Sequence, residues 1–184
     1  MKIQRFDILG PLLFTPKKYI DDRGYFMETF RYDTFYNTIG KSVSFVQDNQ
    51  SVSTSIGTLR GLHYQSPPFG QGKLVRCTSG SIIDVAVDIR KNSKTFGKTV
   101  MVELSPDNAA QLWIPEGFLH GFLTLKEFTE VQYKCTNYYS PNHDGNIAWN
   151  DPELSINWGI DSNSVILSEK DKIAPEMKNF INPF

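Results

Sequence analysis

The sequence predicts an all-β protein, because short segments with strand character alternate with turn signals along most of the chain. Four of these turn signals are DDRG, SPPFGQG, RKNSKTFG and SPNHDG. Turns at such regular intervals are typical of a β-sandwich or a β-barrel. Helical patterns are few, and we therefore expect only short helices at the periphery.

The segment SIIDVAVDIR is the clearest predicted strand. Its β-branched residues fall on one face and its polar residues mainly on the other, with Ile83, Val85, Val87 and Ile89 on the predicted buried side and Asp84, Ala86, Asp88 and Arg90 opposite. This alternation with a period of two is the pattern of a strand that packs on one side. TVMVEL and QLWIP are predicted strands too, and FLHGFLTL, apolar on both faces, is predicted to be central.

Two segments carry helix signals. Asp33 to Gly40 fits a short helix with Asp33 as the N-cap and Gly40 beyond its end. Near the C-terminus, Ser168 and Asp171 form a capping pattern, and Pro175 limits any helix there to a short turn. No repeat or long linker divides the chain, so we predict a single domain over residues 1–184.

Composition excludes several classes of protein. The 184 residues are 40% hydrophobic and carry a formal net charge of −1. A chain of this kind can form a core, and it has no overall charge that favours binding to nucleic acid or to an anionic membrane. No apolar run is long enough to span a bilayer, and the N-terminus is interpreted as a strand and a turn. The cytoplasm is the expected location, with Cys77 and Cys135 as reduced core residues, although a single disulfide stays open.

The segment WIPEGFLHGF contains Pro115, Gly117 and His120 at the spacing of the second sequence motif of cupins. Cupins are jelly-roll barrels that often hold a metal ion with three histidines and a carboxylate. The first cupin motif needs two histidines one residue apart, and RGLHYQSPPFGQG supplies only His63. Since a metal site needs several such ligands together, we predict a cupin-like jelly-roll barrel without a metal.

Strand alternation places several polar side chains on apolar faces. Lys73 shares a face with Val75 and Cys77, and Tyr133 shares one with Val131 and Cys135. The same rule places Gln47, Asn49 and Ser51 beside Phe45. A buried lysine must meet an anion or an oxygen atom, and a few polar groups in an apolar cavity are typical of a ligand pocket.

The segment RGLHYQ breaks the alternation, because Arg60 and His63 point to opposite faces of a regular strand. Both side chains can reach one site only if the strand bulges or bends between them. Gly61 is the residue that tolerates such a distortion. We therefore predict a bulge near Gly61.

Nine motifs together resemble one enzyme family. They are, in chain order, DDRGYF, VQDNQSVS, RGLHYQ, KLVRC, DVAVDIR, IPEGFLHGF, QYKCTNYYSP, AWNDPELSINW and LSEKD. In this order and at these spacings they resemble the dTDP-4-dehydrorhamnose 3,5-epimerases, which are metal-free jelly-roll enzymes. The resemblance extends over nearly the whole chain.

The resemblance implies that the substrate is a dTDP-linked 4-keto-6-deoxyhexose. The C4 ketone of such a sugar acidifies the protons on C3 and C5, so the substrate supplies its own electron sink and no cofactor is expected. The implied reaction converts dTDP-4-dehydro-6-deoxy-D-glucose to dTDP-4-dehydro-L-rhamnose. It needs a base, a group that stabilises an enolate, and an acid on the far side of the sugar.

The resemblance also implies a role for each of four side chains. His63 matches the general base, and Asp171 matches the aspartate that pairs with it, although Asp171 also fits a helix cap and Asp84 is a second candidate partner. Imidazole suits this role because its ordinary pKa lies near neutral pH. Tyr133 matches the acid, and Lys73 matches the group that stabilises the enolate.

Substrate-binding positions follow from the same resemblance. Arg60 and Arg23 match residues that bind the diphosphate, because a guanidinium can donate two parallel hydrogen bonds to phosphate. The other matching positions are Glu28, Gln47, Asn49, His120, Tyr139, Asp144 and Lys170. Tyr139 is interpreted as a wall for the sugar or the thymine, and Asp144 stands where many members of the family have glutamate. In the family the N-terminal strand crosses to the partner subunit, so Arg23 and Glu28 are expected to reach the other active site of a homodimer.

Three alternatives remain open from the sequence. The first is an epimerase that inverts one carbon only or acts on another nucleotide-linked sugar. The second is a metal-dependent cupin enzyme, and the third is a sugar-binding barrel without catalytic activity.

Overall fold

The computed structural model describes all residues from Met1 to Phe184 and consists mainly of β-strands. The strands are β1 (Lys2–Arg5), β2 (Leu12–Thr15), β3 (Lys18–Asp21), β4 (Gly24–Met27), β5 (Gln47–Ser53), β6 (Leu59–Gln65), β7 (Lys73–Ser79), β8 (Ile82–Asp88), β9 (Thr99–Leu104), β10 (Gln111–Ile114), β11 (Phe118–Thr124), β12 (Thr129–Cys135) and β13 (Asp144–Asn146). The helices are α1 (Tyr32–Ile39) and α2 (Glu169–Lys172), with 3₁₀ turns at Pro141–His143, Ser162–Ser164 and Met177–Asn179.

Two antiparallel sheets form the barrel. The six-stranded sheet has the order β1-β2-β10-β7-β12-β5, and the five-stranded sheet has the order β13-β6-β11-β8-β9. Both sheets contribute to the interior core, for example Val75 and Val131 from the first and Ala86 and Phe118 from the second. The predicted all-β jelly roll with a few short helices is confirmed, and so are the strands predicted at TVMVEL, QLWIP and FLHGFLTL. β11 is the central strand of its sheet and is buried along its whole length.

One expectation about strand β8 is wrong, namely that only one of its faces is buried. Val85 and Val87 lie on one face as predicted, and they pack with the C-terminal part of the chain, including Trp158. The opposite face was not expected to be buried, yet Asp84 and Asp88 are both 0% exposed. This face is buried because it points into the barrel, while the C-terminal segments cover the other face.

The two helices test the predicted caps. Helix α1 begins at Tyr32, so Asp33 as N-cap is wrong: its carboxylate accepts a hydrogen bond from Arg31 at 2.8 Å inside the first turn. The end at Gly40 is confirmed, with a left-handed φ of 77°. In α2 the Ser168 side chain accepts a hydrogen bond from the backbone N–H of Asp171, which confirms that cap. Neither helix is long and apolar enough to cross a membrane.

Both cysteines are free thiols in the core. Cys77 is 5% exposed and Cys135 is 0% exposed. The prediction of reduced core cysteines is therefore confirmed.

Candidate active site

A cleft in the barrel has two lobes that share His63, Lys73 and Tyr133. The first, here called the Arg60 lobe, has a volume of about 380 Å³. Its other polar lining residues are Ser51, Thr58, Arg60, His120, Ser168 and Asp171. The second, here called the Tyr139 lobe, has a volume of about 400 Å³. Its other polar lining residues are Gln47, Asn49, Tyr64, Gln65, Gln71, Tyr139, Asp144 and Lys170.

A bulge in β6 brings Arg60 and His63 to the same lobe. Arg60 pairs with Phe122 and His63 pairs with His120, so three residue steps on β6 match two on β11. Gly61 lies between them with a φ of +129°, and a Cβ atom there would lie 2.6 Å from the Cα atom of Gly121. Only glycine fits this conformation and this close approach. The predicted bulge near Gly61 is confirmed.

His63 forms a hydrogen bond with Asp171 inside the Arg60 lobe. Its Nε2 lies 2.6 Å from Oδ1 of Asp171, and Nδ1 has no hydrogen-bond partner in the chain. Oδ2 of Asp171 accepts a hydrogen bond from the Ser168 hydroxyl at 2.9 Å. Burial opposes ionisation of Asp171, but hydrogen bonds from His63, Ser168 and the Gly61 backbone hold its pKa below the ordinary value. The helix cap and the histidine partner, taken as alternatives in the sequence, occur together.

His120 forms a second histidine–aspartate pair next to the first. Its Nε2 lies 2.7 Å from Oδ1 of Asp84, so Asp84 as the partner of His63 is wrong. The pairing follows from the strand order, since β8 and β11 are neighbours. Burial lowers the pKa of His120, although the Asp84 carboxylate opposes this shift. No group of three or more histidine, cysteine, aspartate and glutamate side chains is placed to hold a metal ion.

Lys73 and Tyr133 reach the cleft from the sheet opposite His63. They lie on the neighbouring strands β7 and β12 of the six-stranded sheet, whereas His63 lies on β6 of the five-stranded sheet. Burial lowers the pKa of Lys73, whose ammonium makes no hydrogen bond within the chain. Burial raises the pKa of Tyr133, so its phenol keeps its proton at neutral pH. A base on one wall therefore faces a proton donor and a cation on the other.

A hydrogen-bonded network lines the Tyr139 lobe. The Tyr139 hydroxyl donates to Oδ2 of Asp144 at 3.0 Å, and the Lys170 ammonium pairs with the same oxygen. Gln47 accepts a hydrogen bond from the backbone N–H of Tyr139 at 2.9 Å and donates one to Asn49 at 3.0 Å. The structure thus brings together five of the residues that the sequence predicted for binding.

Two polar residues of the Arg60 lobe, Ser51 and Thr58, have no predicted role. Arg60 lies at its exposed rim, where its Nε donates to the Ser53 hydroxyl at 3.2 Å. Ser51 lines the same lobe, and its buried hydroxyl has no hydrogen-bond partner. Strand alternation had placed Ser51 on the same face as Gln47 and Asn49. This shared face was the sequence signal that could have identified Ser51 as a cleft residue.

Arg23 and Glu28 do not line the cleft of this chain. Arg23 lies in the turn of the separate β3–β4 hairpin and pairs with Asp21 at 2.6 Å, and Glu28 lies 4.0 Å from Arg31. The hairpin exposes four large apolar side chains, namely Tyr19, Ile20, Tyr25 and Phe26. Within this chain these two residues are therefore separated from the other predicted site residues.

The fold and the cleft define a jelly-roll protein equipped for acid–base chemistry on a bound small molecule. The chain belongs to the dTDP-4-dehydrorhamnose 3,5-epimerase family, whose model matches residues 5–179. It is 52% identical over 172 residues to the dTDP-4-dehydrorhamnose 3,5-epimerase of Escherichia coli K12, covering 94% of this chain and 92% of the relative. The family predicted from the nine motifs is therefore confirmed.

Solved structures agree with this assignment. A dTDP-6-deoxy-D-glucose-3,5-epimerase from Legionella pneumophila, solved in complex with dTDP-4-keto-L-rhamnose, has a TM-score of 0.93 and 44% identity and covers 97% of this chain and 94% of its own. A 3'-monoepimerase from Streptomyces bikiniensis, solved in complex with dTDP-quinovose, has a TM-score of 0.87 and 33% identity, with 93% and 85% coverage. The same fold therefore occurs in a relative named as a 3,5-epimerase and in one named as a 3'-monoepimerase.

Proposed function

We propose that the protein epimerises C3 and C5 of dTDP-4-dehydro-6-deoxy-D-glucose and so forms dTDP-4-dehydro-L-rhamnose. One observation carries this proposal: His63 with Asp171 lies on one wall of the cleft, and Tyr133 with Lys73 lies on the opposite wall. Inversion of a carbon needs a base on one side of the sugar and an acid on the other. Family membership and the complex of the Legionella relative with dTDP-4-keto-L-rhamnose support this reaction.

The reaction begins with proton transfer from a carbon next to the C4 ketone to Nδ1 of His63. The electron pair of the C–H bond moves to the C4 oxygen, which gives an enolate. Asp171 stabilises the resulting imidazolium through Nε2, as expected for a base with an orienting carboxylate. The Lys73 ammonium donates a hydrogen bond to the enolate oxygen, where its charge counts most because the site is partly desolvated.

Protonation from the opposite face completes the inversion. Tyr133 gives its phenolic proton to the carbon, and the enolate returns its electron pair to form the new C–H bond. The raised pKa of Tyr133, which results from burial, keeps this phenol protonated before the step. Tyr133 then regains a proton from solvent and His63 releases one, so the enzyme returns to its starting state.

The remaining cleft residues bind the nucleotide and the sugar in this proposal. Arg60 at the rim binds the diphosphate, and His120 contacts the sugar. Gln47, Asn49, Tyr139, Asp144 and Lys170 form the second lobe, where the planar ring of Tyr139 offers a surface for thymine. No cofactor is needed, because the ketone of the substrate takes up the electron pair.

Incubation with dTDP-4-dehydro-6-deoxy-D-glucose in D₂O tests the function directly. We expect deuterium at both C3 and C5 of the sugar and a product with the L-rhamno configuration, measured by NMR and mass spectrometry. No deuterium at either carbon would exclude the proposal. Metal analysis of the same sample, with and without chelator treatment, tests the predicted metal-free chemistry.

A single-carbon epimerase is the second candidate, because the 33%-identical Streptomyces bikiniensis 3'-monoepimerase shares the fold. The same base and acid would serve one carbon or two. Deuterium at C3 alone, with C5 unlabelled after many turnovers, would favour this candidate.

We also propose that residues 1–184 act as a single domain within a homodimer and that the cytoplasm is the location. The exposed apolar hairpin and its Arg23 support a dimer in which each hairpin packs on the partner subunit. A mixture of Arg23→Ala and His63→Asn protomers, refolded or co-expressed together, tests this arrangement. We expect each mixed dimer to recover up to half of the activity of a wild-type dimer, because one of its two sites has both an intact His63 and an intact Arg23. A mixture without recovered activity would contradict this arrangement.

A further inference from the structure

Asp84 has an unusual environment for a side chain that lies outside the predicted set of catalytic residues. It lies on β8, faces the barrel interior and is 0% exposed. Its Oδ1 contacts Nε2 of His120 at 2.7 Å, whereas its Oδ2 is buried without any hydrogen-bond partner. Buried carboxylate oxygens normally have partners, so an unpartnered one requires an explanation.

Lys73 is the cation of the cleft that complements this carboxylate. Its ammonium lies in the Arg60 lobe together with His120 and makes no hydrogen bond within the chain. A partly buried cation and a buried anion stabilise each other through space, even without direct contact. Burial lowers the pKa of Lys73, and Cys135, Asp144 and Asp84 act against this shift.

The other groups that face Lys73 come from several elements. Cys135 and Tyr133 lie on β12, Asp144 on β13, His63 on β6, His120 on β11 and Lys170 on α2. Asp144 is already paired with Lys170, and Asp171 is paired with His63. Among these carboxylates, Asp84 is the one with a buried oxygen that has no hydrogen-bond partner.

We propose that Asp84 is a positioning residue for the reaction, with one task for each of its oxygens. Oδ1 accepts the Nε2–H of His120 and thereby fixes the tautomer of that ring, while the charge on Oδ2 balances the Lys73 ammonium. Nδ1 of His120 is then a hydrogen-bond acceptor that faces the cleft and binds a sugar hydroxyl. Lys73 remains the donor to the ketone oxygen. This role depends on the proposed epimerase function.

Asp84→Asn tests the charge, because the amide has nearly the same shape as the carboxylate. Loss of the negative charge disfavours the ammonium form of Lys73, so the alkaline limb of the kcat/KM profile moves to lower pH. We expect kcat/KM at neutral pH to fall about tenfold, less than the roughly 10²–10³-fold loss typical of deleting an oxyanion donor itself. An unchanged alkaline limb in Asp84→Asn would overturn the proposal.

Asp88→Asn is a matched control on the same strand and the same face. Asp88 is equally buried, but Arg90, Ser93 and Thr95 already satisfy its carboxylate. We expect this variant to melt at a lower temperature and to keep the wild-type alkaline limb in its folded fraction. If both variants lose only stability, Asp84 has a structural role alone.

The three histidines allow a direct test of the His120 tautomer. In protein labelled with ¹⁵N-histidine, long-range ¹H–¹⁵N spectra distinguish the two ring nitrogens, and His143→Asn identifies one of the three spin systems. We expect neutral His120 with its proton on Nε2 in the wild type and a changed pattern in Asp84→Asn. A proton on Nδ1 in the wild type would overturn the assignment.

Deuterium incorporation and the measurements on Asp84→Asn distinguish failure of the proposed epimerase function from failure of the proposed role of Asp84. If the wild type incorporates no deuterium from D₂O, the epimerase function fails, whereas the NMR spectra still report the Asp84–His120 pair. If the wild type incorporates deuterium and Asp84→Asn keeps the wild-type pH profile, only the role of Asp84 fails.

Discussion

The two histidine–aspartate pairs of the cleft have the same contacts in different surroundings. His63 and His120 are direct cross-strand partners on β6 and β11, and each contacts its aspartate through Nε2, at 2.6 and 2.7 Å. The His63 side chain is 31% exposed, whereas the His120 side chain is 7% exposed. Asp171 comes from the short peripheral helix α2, and Asp84 from strand β8 inside the five-stranded sheet.

The difference shows how burial divides one chemical motif into two roles. A histidine that acts as a base must become an imidazolium during each turnover, and solvent access stabilises that charge. The deeply buried His120 has a lowered pKa because of desolvation, so its neutral form is favoured. His63 is therefore suited to proton transfer, and His120 to a fixed hydrogen bond.

The largest expected effect comes from Gly61→Ala, which disrupts the bulge that aligns the two histidines. A Cβ atom would lie 2.6 Å from Cα of Gly121 and 2.8 Å from the carbonyl oxygen of His120, at a φ of +129°. We expect a loss of about 2–6 kcal/mol in the free energy of unfolding, from backbone strain and overpacking together. Thermal and denaturant unfolding measure this loss, with activity lost as well.

Gly24→Ala separates strain from overpacking, because Gly24 has a φ of +128° and a Cβ atom added there would have no neighbouring atoms within 4 Å. It should lose only the strain component, about 1–3 kcal/mol. Equal losses in the two variants would show that the contact with β11 is unimportant.

The next largest effect is expected for His63→Asn, which removes the proposed base and leaves the His120–Asp84 pair in place. Loss of a positioned base costs roughly 10²–10⁴-fold in rate, so we expect kcat to fall by that factor. Binding of dTDP, measured by calorimetry, should stay within about tenfold of the wild type, since one lost neutral hydrogen bond is worth only about 0.5–1.5 kcal/mol. His120→Asn should affect KM more than kcat. If His120→Asn removes deuterium exchange and His63→Asn does not, the two roles are reversed.

Asp171→Asn should have a smaller effect on the rate, because the base remains in place. We expect kcat to fall by at most the roughly 10⁴-fold seen when the aspartate of a Ser-His-Asp triad becomes asparagine, as the orientation and the charge partner of His63 are lost. Ser168→Ala is the control, because it removes the cap of α2 and the hydrogen bond to Oδ2 of Asp171, at a cost of about 1 kcal/mol of stability, while Oδ1 of Asp171 still contacts His63. A similar loss of kcat in both variants would assign Asp171 to the helix rather than to the base.

How much of this arrangement the sequence could predict depends on how far apart along the chain the contacting residues are. Strand alternation placed Lys73 and Tyr133 in the cavity, and the opposite parity of Arg60 and His63 predicted the bulge. The His63–Asp171 pair joins residues 108 positions apart, so only the family resemblance indicated it. The partner of Asp84 depends on the order of the strands in the sheet, which local patterns do not determine.

The acid stability of the protein is expected to depend on Asp171. The pKa of Asp171 is lowered in the folded state, because its hydrogen bonds outweigh its burial. A lowered pKa stabilises the fold above the unfolded value of about 4 and loses this contribution as the pH falls through the folded value. We expect the melting temperature of Asp171→Asn to fall less steeply than that of the wild type below about pH 4. Parallel curves would mean that Asp171 does not contribute to acid unfolding.

The smallest expected effect is that of Ser51→Ala, at the wall of the lobe that both histidines share. Its buried hydroxyl has no partner in the chain, so a bound substrate is the natural source of one. One neutral hydrogen bond is worth about 0.5–1.5 kcal/mol, and we expect KM to rise roughly two- to tenfold with kcat unchanged. Gln50→Ala, on the opposite face of β5, should leave both constants unchanged. A fall in kcat without a change in KM would place Ser51 in the chemical step together with His63. The wall of the shared lobe would then contribute to catalysis as well as to binding of the sugar.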